Sequence, residues 1–409
     1  MPPVQTTPRS NVITSLASQF FNGDYFNFYG FVDGVYDSTQ QTLQTNQRGG
    51  PGFDVGGGVT GSKTFASSVL SLSYRGEYRN YSSGFGGNGT NQYLSLLYTK
   101  RLSARWTLSF NEAAGILFYG NAYYGTLGSN GGAVQTNPFS TTTRFLSSGV
   151  VASYHQTQRL TYTVSGDFFL NRYNYAGAIG ATGGVVSGSA SYALTARTSF
   201  GGTYSHDNFV YERSAGNSQI DGVFGNVSHT FGRNWIANVS GGYTRVHSSG
   251  IIDIPVSLII GGQNVIGYEV GAYNTITHVP TFVGNLSHSI GRFTFGASGG
   301  HSVTPGNGTY LTSSNTFFGG VVSRSFRKST LNGTFNYSDL TSISNTIAQG
   351  YKGTFITISY SRILIPHMSG YVGYQYQRYG ALLAYSSSSL NRIIAGLNFS
   401  SKNIPMTQF

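Results

Sequence analysis

The 409-residue sequence has no cysteine, which excludes disulfide scaffolds, thiol catalysis, thiolate zinc centres and covalently attached haem. Charge is almost as scarce. Asp, Glu, Lys and Arg make up 9% of the residues, against roughly a quarter in an ordinary soluble domain. Long apolar runs are missing as well: no stretch approaches the ~20 residues that a spanning helix needs, so a helical membrane protein is excluded. The start, Met1-Pro-Pro-Val-Gln, lacks the basic segment and apolar core of a secretion signal, so an export signal is expected to lie outside this numbering. What the chain does have is 57 glycines, 15% aromatic residues and an excess of 24 basic over 13 acidic side chains, for a net charge of +11.

The dominant pattern has a period of two, the signature of a strand. In residues 69–81 Leu70, Leu72, Tyr74, Gly76 and Tyr78 alternate with Ser71, Ser73, Arg75, Glu77 and Arg79. One face is apolar and aromatic. The other carries hydroxyls and charges that a sandwich core would bury only at large desolvation cost, so it must meet water. The apolar face extends over some ten residues, the length of a tilted strand crossing a bilayer. The same alternation recurs at Leu160, Tyr162, Val164 and Phe168, at Leu331, Phe335 and Tyr337, and at Ile393, Ala395, Leu397 and Phe399.

Eight short turns punctuate these strands, marked by Lys63, Arg105, Arg159, Arg197, Arg233, Arg292, Lys328 and Pro366. NVSHTFGRNWIANVSGGY from Asn226 and NLSHSIGRFTFGASGGHS from Asn285 are near copies, so the repeated unit is a hairpin with its short turn at the centre. Longer Gly/Asn/Ser/Thr segments lie between the hairpins, at 82–91, 121–143, 248–280 and 305–315. With a first strand at 25–36 and a last at 390–399, the count is eighteen. The expected fold is all-β, an up-and-down antiparallel transmembrane barrel with short periplasmic turns and long extracellular loops. Sixteen and twenty strands stay open, because 254–273 has room for a further hairpin or, equally, for a segment folded inward to narrow the pore. The barrel is expected over 23–400, with 401–409 as a tail. Residues 1–22 read either as a disordered lead-in or as a short helix capped by Ser10, with Ile13, Leu16, Ala17 and Phe20 on one face.

Chemical motifs are few. Gly49 to Lys63 looks superficially like a phosphate loop, but Ser62 stands where lysine is required and no helix pattern follows, so glycine at a barrel bend is the better reading. His206-Asp207 near a strand's outer end offers a water-activating dyad for a rim hydrolase, set against an ordinary solvated histidine. No metal-ligand spacing or Ser-His-Asp set is apparent, so no catalytic residue, metal or cofactor is expected. On alternation, Arg75, Glu77, Arg79, Glu112, His155, Asp167, Tyr371, Gln375, Gln377 and Tyr379 are the expected pore lining. Tyr74, Tyr78, Tyr81, Trp106, Tyr162, Trp235 and Tyr243 are the expected interfacial girdles. The basic excess predicts a positive interior or rim that favours anions. Basic residues spread one per turn make no nucleic-acid patch. The expected partners are outer-membrane lipid and lipopolysaccharide, with periplasmic or extracellular proteins reached through the N-terminal segment or the long loops.

GVTGSKTFASSVLSLSYRGEYRNYSS, followed by YLSLLYTKRLSARWTLSF, resembles the outer-membrane β-barrels encoded with exopolysaccharide export machinery, where hairpins of the form Tyr…Arg-Leu-Ser-x-Arg-Trp are usual. The opening FYGFVDGVY resembles the first strand of general bacterial β-barrel porins. The resemblance implies a barrel in the outer membrane of a Gram-negative bacterium and carries over no functional residue. The expected function is a conduit for polysaccharide or other polar, anionic solutes. A sheath holding a partner such as an electron carrier or surface filament is the alternative, and the rim hydrolase a remote one.

Overall fold

The computed structural model describes residues 25–41, 46–81, 88–118, 142–174, 179–213, 215–232, 234–260, 263–304, 312–343, 350–381, 387–401 and 404–405. Residues 1–22, read as a lead-in or a short helix, lie outside them. In chain order the strands are β1 (Tyr25–Gln41), β2 (Asn46–Thr64), β3 (Ser68–Tyr81), β4 (Gly89–Arg101), β5 (Trp106–Leu117) and β6 (Thr143–His155). They continue as β7 (Leu160–Tyr173), β8 (Ala181–Ala193), β9 (Thr198–Tyr211), β10 (Gly216–Phe231), β11 (Trp235–Ile260) and β12 (Gln263–Ile290). The rest are β13 (Phe293–Thr304), β14 (Ser313–Ser325), β15 (Ser329–Ser342), β16 (Gly350–Ile365), β17 (Met368–Ala381), β18 (Ser387–Ser400) and the two-residue β19 (Ile404–Pro405).

Each full strand pairs antiparallel with the next, and β18 returns to β1 from Tyr29↔Ser400 to Asp37↔Arg392, which closes the ladder. β19 extends the seam with Tyr25↔Pro405 and Phe26↔Ile404, a bridge from the tail that the alternation did not predict. Closure satisfies the backbone without leaving an edge, the condition for spanning hydrocarbon with strands. Eighteen full strands form the wall. The alternatives of sixteen and twenty fall away, because 254–273 prolongs β11 and β12 into a single ladder from Trp235↔His288 to Ile260↔Gln263. The expected constriction there rests on side chains at 252–270, outside the described residues.

The eight short connections fall where the seven basic markers and Pro366 put them, and local hydrogen bonds tighten three of them. Ser103 Oγ accepts from the N–H groups of Arg105 (3.2 Å) and Trp106 (3.1 Å). Thr157 Oγ1 does the same for Arg159 (3.2 Å) and Leu160 (3.0 Å), and Thr195 Oγ1 for Arg197 (3.1 Å) and Thr198 (3.0 Å). A hydroxyl two residues before the arginine thus stands in for a backbone acceptor. In the two near-copied hairpins glycine makes the turn instead: Gly232 and Gly291 adopt φ of 58° and 56°, the left-handed region that a side chain penalises.

Alternation sorts the side chains. Leu70, Leu72, Tyr74 and Tyr78 face outward from β3, while Ser71, Arg75, Glu77 and Arg79 face inward. The outer surface is a broad apolar band in which Val223 is 63% and Val239 59% exposed, as lipid contact requires. The glycine-rich 49–63 run is the middle of β2. Gly56 there sits under the Phe31 ring, where an added Cβ would come within 2.5 Å of Phe31 Cζ, so glycine serves ring packing across the ladder rather than phosphate. On the far side of the barrel Val185, Phe209, Tyr211, Ile220, Val246 and Val279 form a buried apolar cluster.

Candidate functional site

Among the described residues, the inner wall is the extended polar surface that the strand alternation shields from lipid, and it has two parts. Around the closure seam, β1, β2, β3 and β18 contribute a charged network. Arg79 forks onto Asp54, with Nε donating to Oδ1 at 2.6 Å and Nη2 to Oδ2, and its Nη2 also reaches Glu77 Oε1 at 3.3 Å. Glu77 further accepts from Arg75 Nη2 (3.1 Å) and Asn91 Nδ2 (3.3 Å). Beside it Arg392 forks onto Asp37 at 2.7 and 2.8 Å, and Tyr81 Oη donates to the same carboxylate at 2.5 Å. Charge-assisted, two-pronged bonds of this kind compensate buried charge.

Elsewhere the wall is built from neutral pairs across adjacent strands. They include Ser165···Ser187 (2.6 Å), Ser218···Ser248 (2.7 Å), Thr244···Thr281 (3.0 Å) and Thr99···Ser109 (3.1 Å). Amides join them where Asn226 donates to Thr203 Oγ1 (2.9 Å), Ser323 to Asn332 (2.7 Å) and Ser338 to Asn315 (2.7 Å). Thr312, just before β14, bonds Tyr211 Oη at 2.7 Å and Ser218, so the chain at that point reaches across the inner face to β9 and β10.

Most of the expected lining is on this surface. Arg75, Glu77 and Arg79 are inward, as are Gln375 and Gln377, both buried on β17. His155 bonds Thr161 Oγ1 through Nδ1 at 3.0 Å near the short-turn mouth. Asp167 stands between Gly149 and Val185 on the inner side of β7, and Tyr371 precedes Gln375 on the same face. The side chain of Tyr379 lies outside the described residues. Burial separates the arginines: the Arg79 side chain is 5% exposed and Arg75 32%. Arg79 and Arg392 are therefore matched parts of the wall, and Arg75 alone of the three opens to the lumen, its guanidinium 4.6 Å from the Phe31 ring centre. Arg75, Arg79 and Arg392 face Asp33, Asp37, Asp54 and Glu77 here, so this wall is not the positive interior that net charge suggested.

Glu112 is a correction. It shares the parity of Trp106, Leu108 and Phe110 and so faces outward, where Ser148 Oγ donates to Oε2 at 2.5 Å. Tyr81 is another: it lies three residues from Tyr78, on the opposite face, and belongs to the Asp37 network rather than to a girdle. The His206-Asp207 dyad does not form, because neighbours in a strand point to opposite sides. His206 faces outward and pairs with Asp221 (Nδ1···Oδ1 2.8 Å), to which Tyr204 Oη also donates at 2.9 Å, while Asp207 is buried inside.

The remaining girdle residues, Tyr74, Tyr78, Trp106, Tyr162, Trp235 and Tyr243, are all exposed on the outer surface. Trp106 packs on Tyr154 with centroids 4.9 Å apart, Trp235 stacks on His288 at 4.0 Å, and Tyr243 stacks on His278 at 5.5 Å. The molecule thus combines a closed ladder with a lipid-facing apolar band, aromatic margins and a polar inner wall. The chain is a transmembrane β-barrel.

No family model matches the sequence, and no curated protein does. Among solved structures, the chain is similar to the outer membrane protein OpdK from Pseudomonas aeruginosa at 11% identity and a TM-score of 0.44, with 92% of this chain and 99% of that one covered. A BenF-like porin from Pseudomonas fluorescens Pf-5 gives 11% and 0.47, with 92% and 98% covered. OccAB4 from Acinetobacter baumannii gives 8% and 0.45, with 93% and 98% covered.

Sequence reasoning missed Asp37, Asp54 and Arg392, and placed Tyr81 in a girdle. Asp37 and Arg392 are 355 positions apart and meet only because the barrel closes. The one available signal was that Asp33, Val35 and Asp37 share a face of β1, which leaves carboxylates on the inner side in need of cations.

Proposed function

We propose that the barrel is a passive outer-membrane conduit for polar, hydroxyl-rich solutes, with saccharides and their acidic derivatives foremost. The observation that carries this reading is the set of part-exposed hydroxyl and amide pairs on the inner wall, Thr99 with Ser109, Asn226 with Thr203 and Ser323 with Asn332. Such groups both donate and accept, so a sugar moving past exchanges water contacts for wall contacts of similar strength. Conduction needs sites that are weak and repeated rather than one deep site. Tyr371, half-exposed on the same face, adds an aromatic ring of the kind that meets sugar ring faces, while Gln375 and Gln377 are buried in the wall behind it. Export of a polymer through the same lumen is the form of this reading that the resemblance to exopolysaccharide barrels favours.

The test is reconstitution of the full chain. Planar-bilayer recordings are expected to show discrete conductance steps in KCl, and liposomes carrying the barrel are expected to swell in monosaccharides, with a size limit measurable from an oligosaccharide series. A barrel that passes neither KCl nor monosaccharide overturns the conduit.

A further inference from the structure

The short-turn rim carries a feature that the conduit reading does not use. In five of the eight short hairpins the residue just before the returning strand is a cation: Arg105, Arg159, Arg197, Arg292 or Lys328. In each case its carbonyl accepts a backbone hydrogen bond from the neighbouring strand, from His155 (2.8 Å), Ala193 (2.8 Å), Thr230 (2.8 Å), Ser325 (2.9 Å) and Ile363 (2.8 Å) respectively. These bonds extend each ladder by one pair beyond Trp106↔Tyr154, Leu160↔Tyr192, Thr198↔His229, Phe293↔Arg324 and Ser329↔Arg362. The first residues of those strands share the outward parity, so one step back falls on the lumen side. The five cations thus occupy one equivalent position, at one height and on one face. Arg101 joins them, its N–H bonded to the Ser67 carbonyl at 2.7 Å and its inner-face partner Thr107.

All six are exposed, and none is ion-paired with a carboxylate among the described residues. No described carboxylate lies at this height. Asp33 is four residues above the Tyr29↔Ser400 pair that adjoins the last turn, roughly 13 Å along the strand. Adjacent hairpins are two strands apart, roughly 10 Å, which is near the Debye length at 0.1 M salt, so the fields of neighbouring cations add. A second set, Lys63, Lys100, Arg324 and Arg362, has the outward parity and meets lipid headgroups instead; Arg324 lies 5.1 Å from the Phe293 ring centre on that surface. The rim therefore separates cations for the membrane from cations for the mouth.

We propose that the inner crown is a binding site for acidic saccharide chains, captured by their carboxylate, phosphate or sulfate groups at the short-turn mouth before they enter the hydroxyl-lined lumen. The proposal rests on the conduit reading and names the solute class and the side from which it enters.

The test uses the full chain and a fluorescent polygalacturonate oligomer as probe. Binding to the detergent-solubilised barrel, read by anisotropy, requires no conduction. It is expected to weaken steeply between about 50 and 200 mM salt, and to fall about tenfold or more in the triple variant Arg105→Gln, Arg159→Gln, Arg197→Gln. In bilayers the oligomer is expected to block the wild type from the short-turn side and not from the loop side, while the triple variant keeps its KCl conductance and loses the block. Undiminished binding by a triple variant whose gel migration shows it folded overturns the crown, as does equal block from both sides. So does loss of binding on neutralising the outward set instead, or a triple variant whose only defect is adhesion to phosphatidylglycerol vesicles, which would assign these cations to inner-leaflet headgroups. If the triple variant does not fold, the salt dependence and sidedness of wild-type block decide. A silent barrel that still binds the oligomer at the crown would refute the conduit and leave the site standing.

Discussion

At the residue scale, what a charge does here depends on where its neighbours place it. Arg75 and Arg79 are four positions apart on the same face of β3 and look equivalent in sequence. Arg79 is buried against Asp54 and Glu77, whereas Arg75 remains partly open. Arg79→Gln takes the cation from Asp54 inside the wall, Glu77 keeping Arg75, and is expected to lower unfolding free energy by about 3–5 kcal/mol, measured by denaturant titration in vesicles. Reversal potential in a KCl gradient is expected to change little, because the replaced charge never faced the permeating ion; a large selectivity change with intact stability would contradict that placement. Glu112 and His206 show the parity rule at work. Each was legible once its distance from an outward aromatic was counted: Glu112 is six residues from Trp106 and His206 two from Tyr204, both even, so both face out. Reading residue type before parity put Glu112 in the pore and joined His206 to Asp207.

At the element scale, the hairpin is the unit the sequence shows most clearly. Period-two alternation, a hydroxyl two residues before an arginine, and glycine in the two copied turns are all local, and local hydrogen bonds at Ser103, Thr157 and Thr195 realise them. Gly291→Ala puts a side chain at φ 56° where nothing lies within 4 Å of the added Cβ, so the penalty is conformational alone. It is expected to cost about 1–2 kcal/mol in vesicle unfolding while leaving conductance unchanged. A larger loss, or an altered channel, would mean that the turn packs against something else. What local pattern did not resolve was the extension of β11 and β12: an apolar segment of turn-rich composition reads equally as a loop or an extra hairpin, and only the continuous pairing to Ile260↔Gln263 separates them.

At the scale of the whole molecule, the closure seam joins the first and last strands, and Asp37 and Arg392 form a buried ion pair across it. Asp37→Asn and Arg392→Gln are each expected to destabilise the barrel. The double variant is expected to be less destabilised than the sum, with a coupling of about 2 kcal/mol in a double-mutant cycle by denaturant titration; additivity would show that the pair is incidental to closure. The positive net charge is likewise a property of distribution. The described acidic residues lie along the strands and at the long-loop end, while cations without carboxylate neighbours gather at the short turns.

Strand type, facing and hairpin order, and hence a membrane barrel, were determined by the sequence alone; the count of eighteen waited on the continuous pairing of β11 with β12. Their causes are short-range: alternation sets which face meets lipid, and turn chemistry sets where the chain reverses. The charge lining the lumen was decided by tertiary structure. Closure brings Asp37 to Arg392 across 355 positions, cross-strand pairing in the β2–β3 hairpin sets Asp54 against Arg79, and the ladders align separate turn cations along one rim. A composition of 24 basic and 13 acidic residues fixes the sum. Pairing across the ladder fixes which of those charges a solute meets.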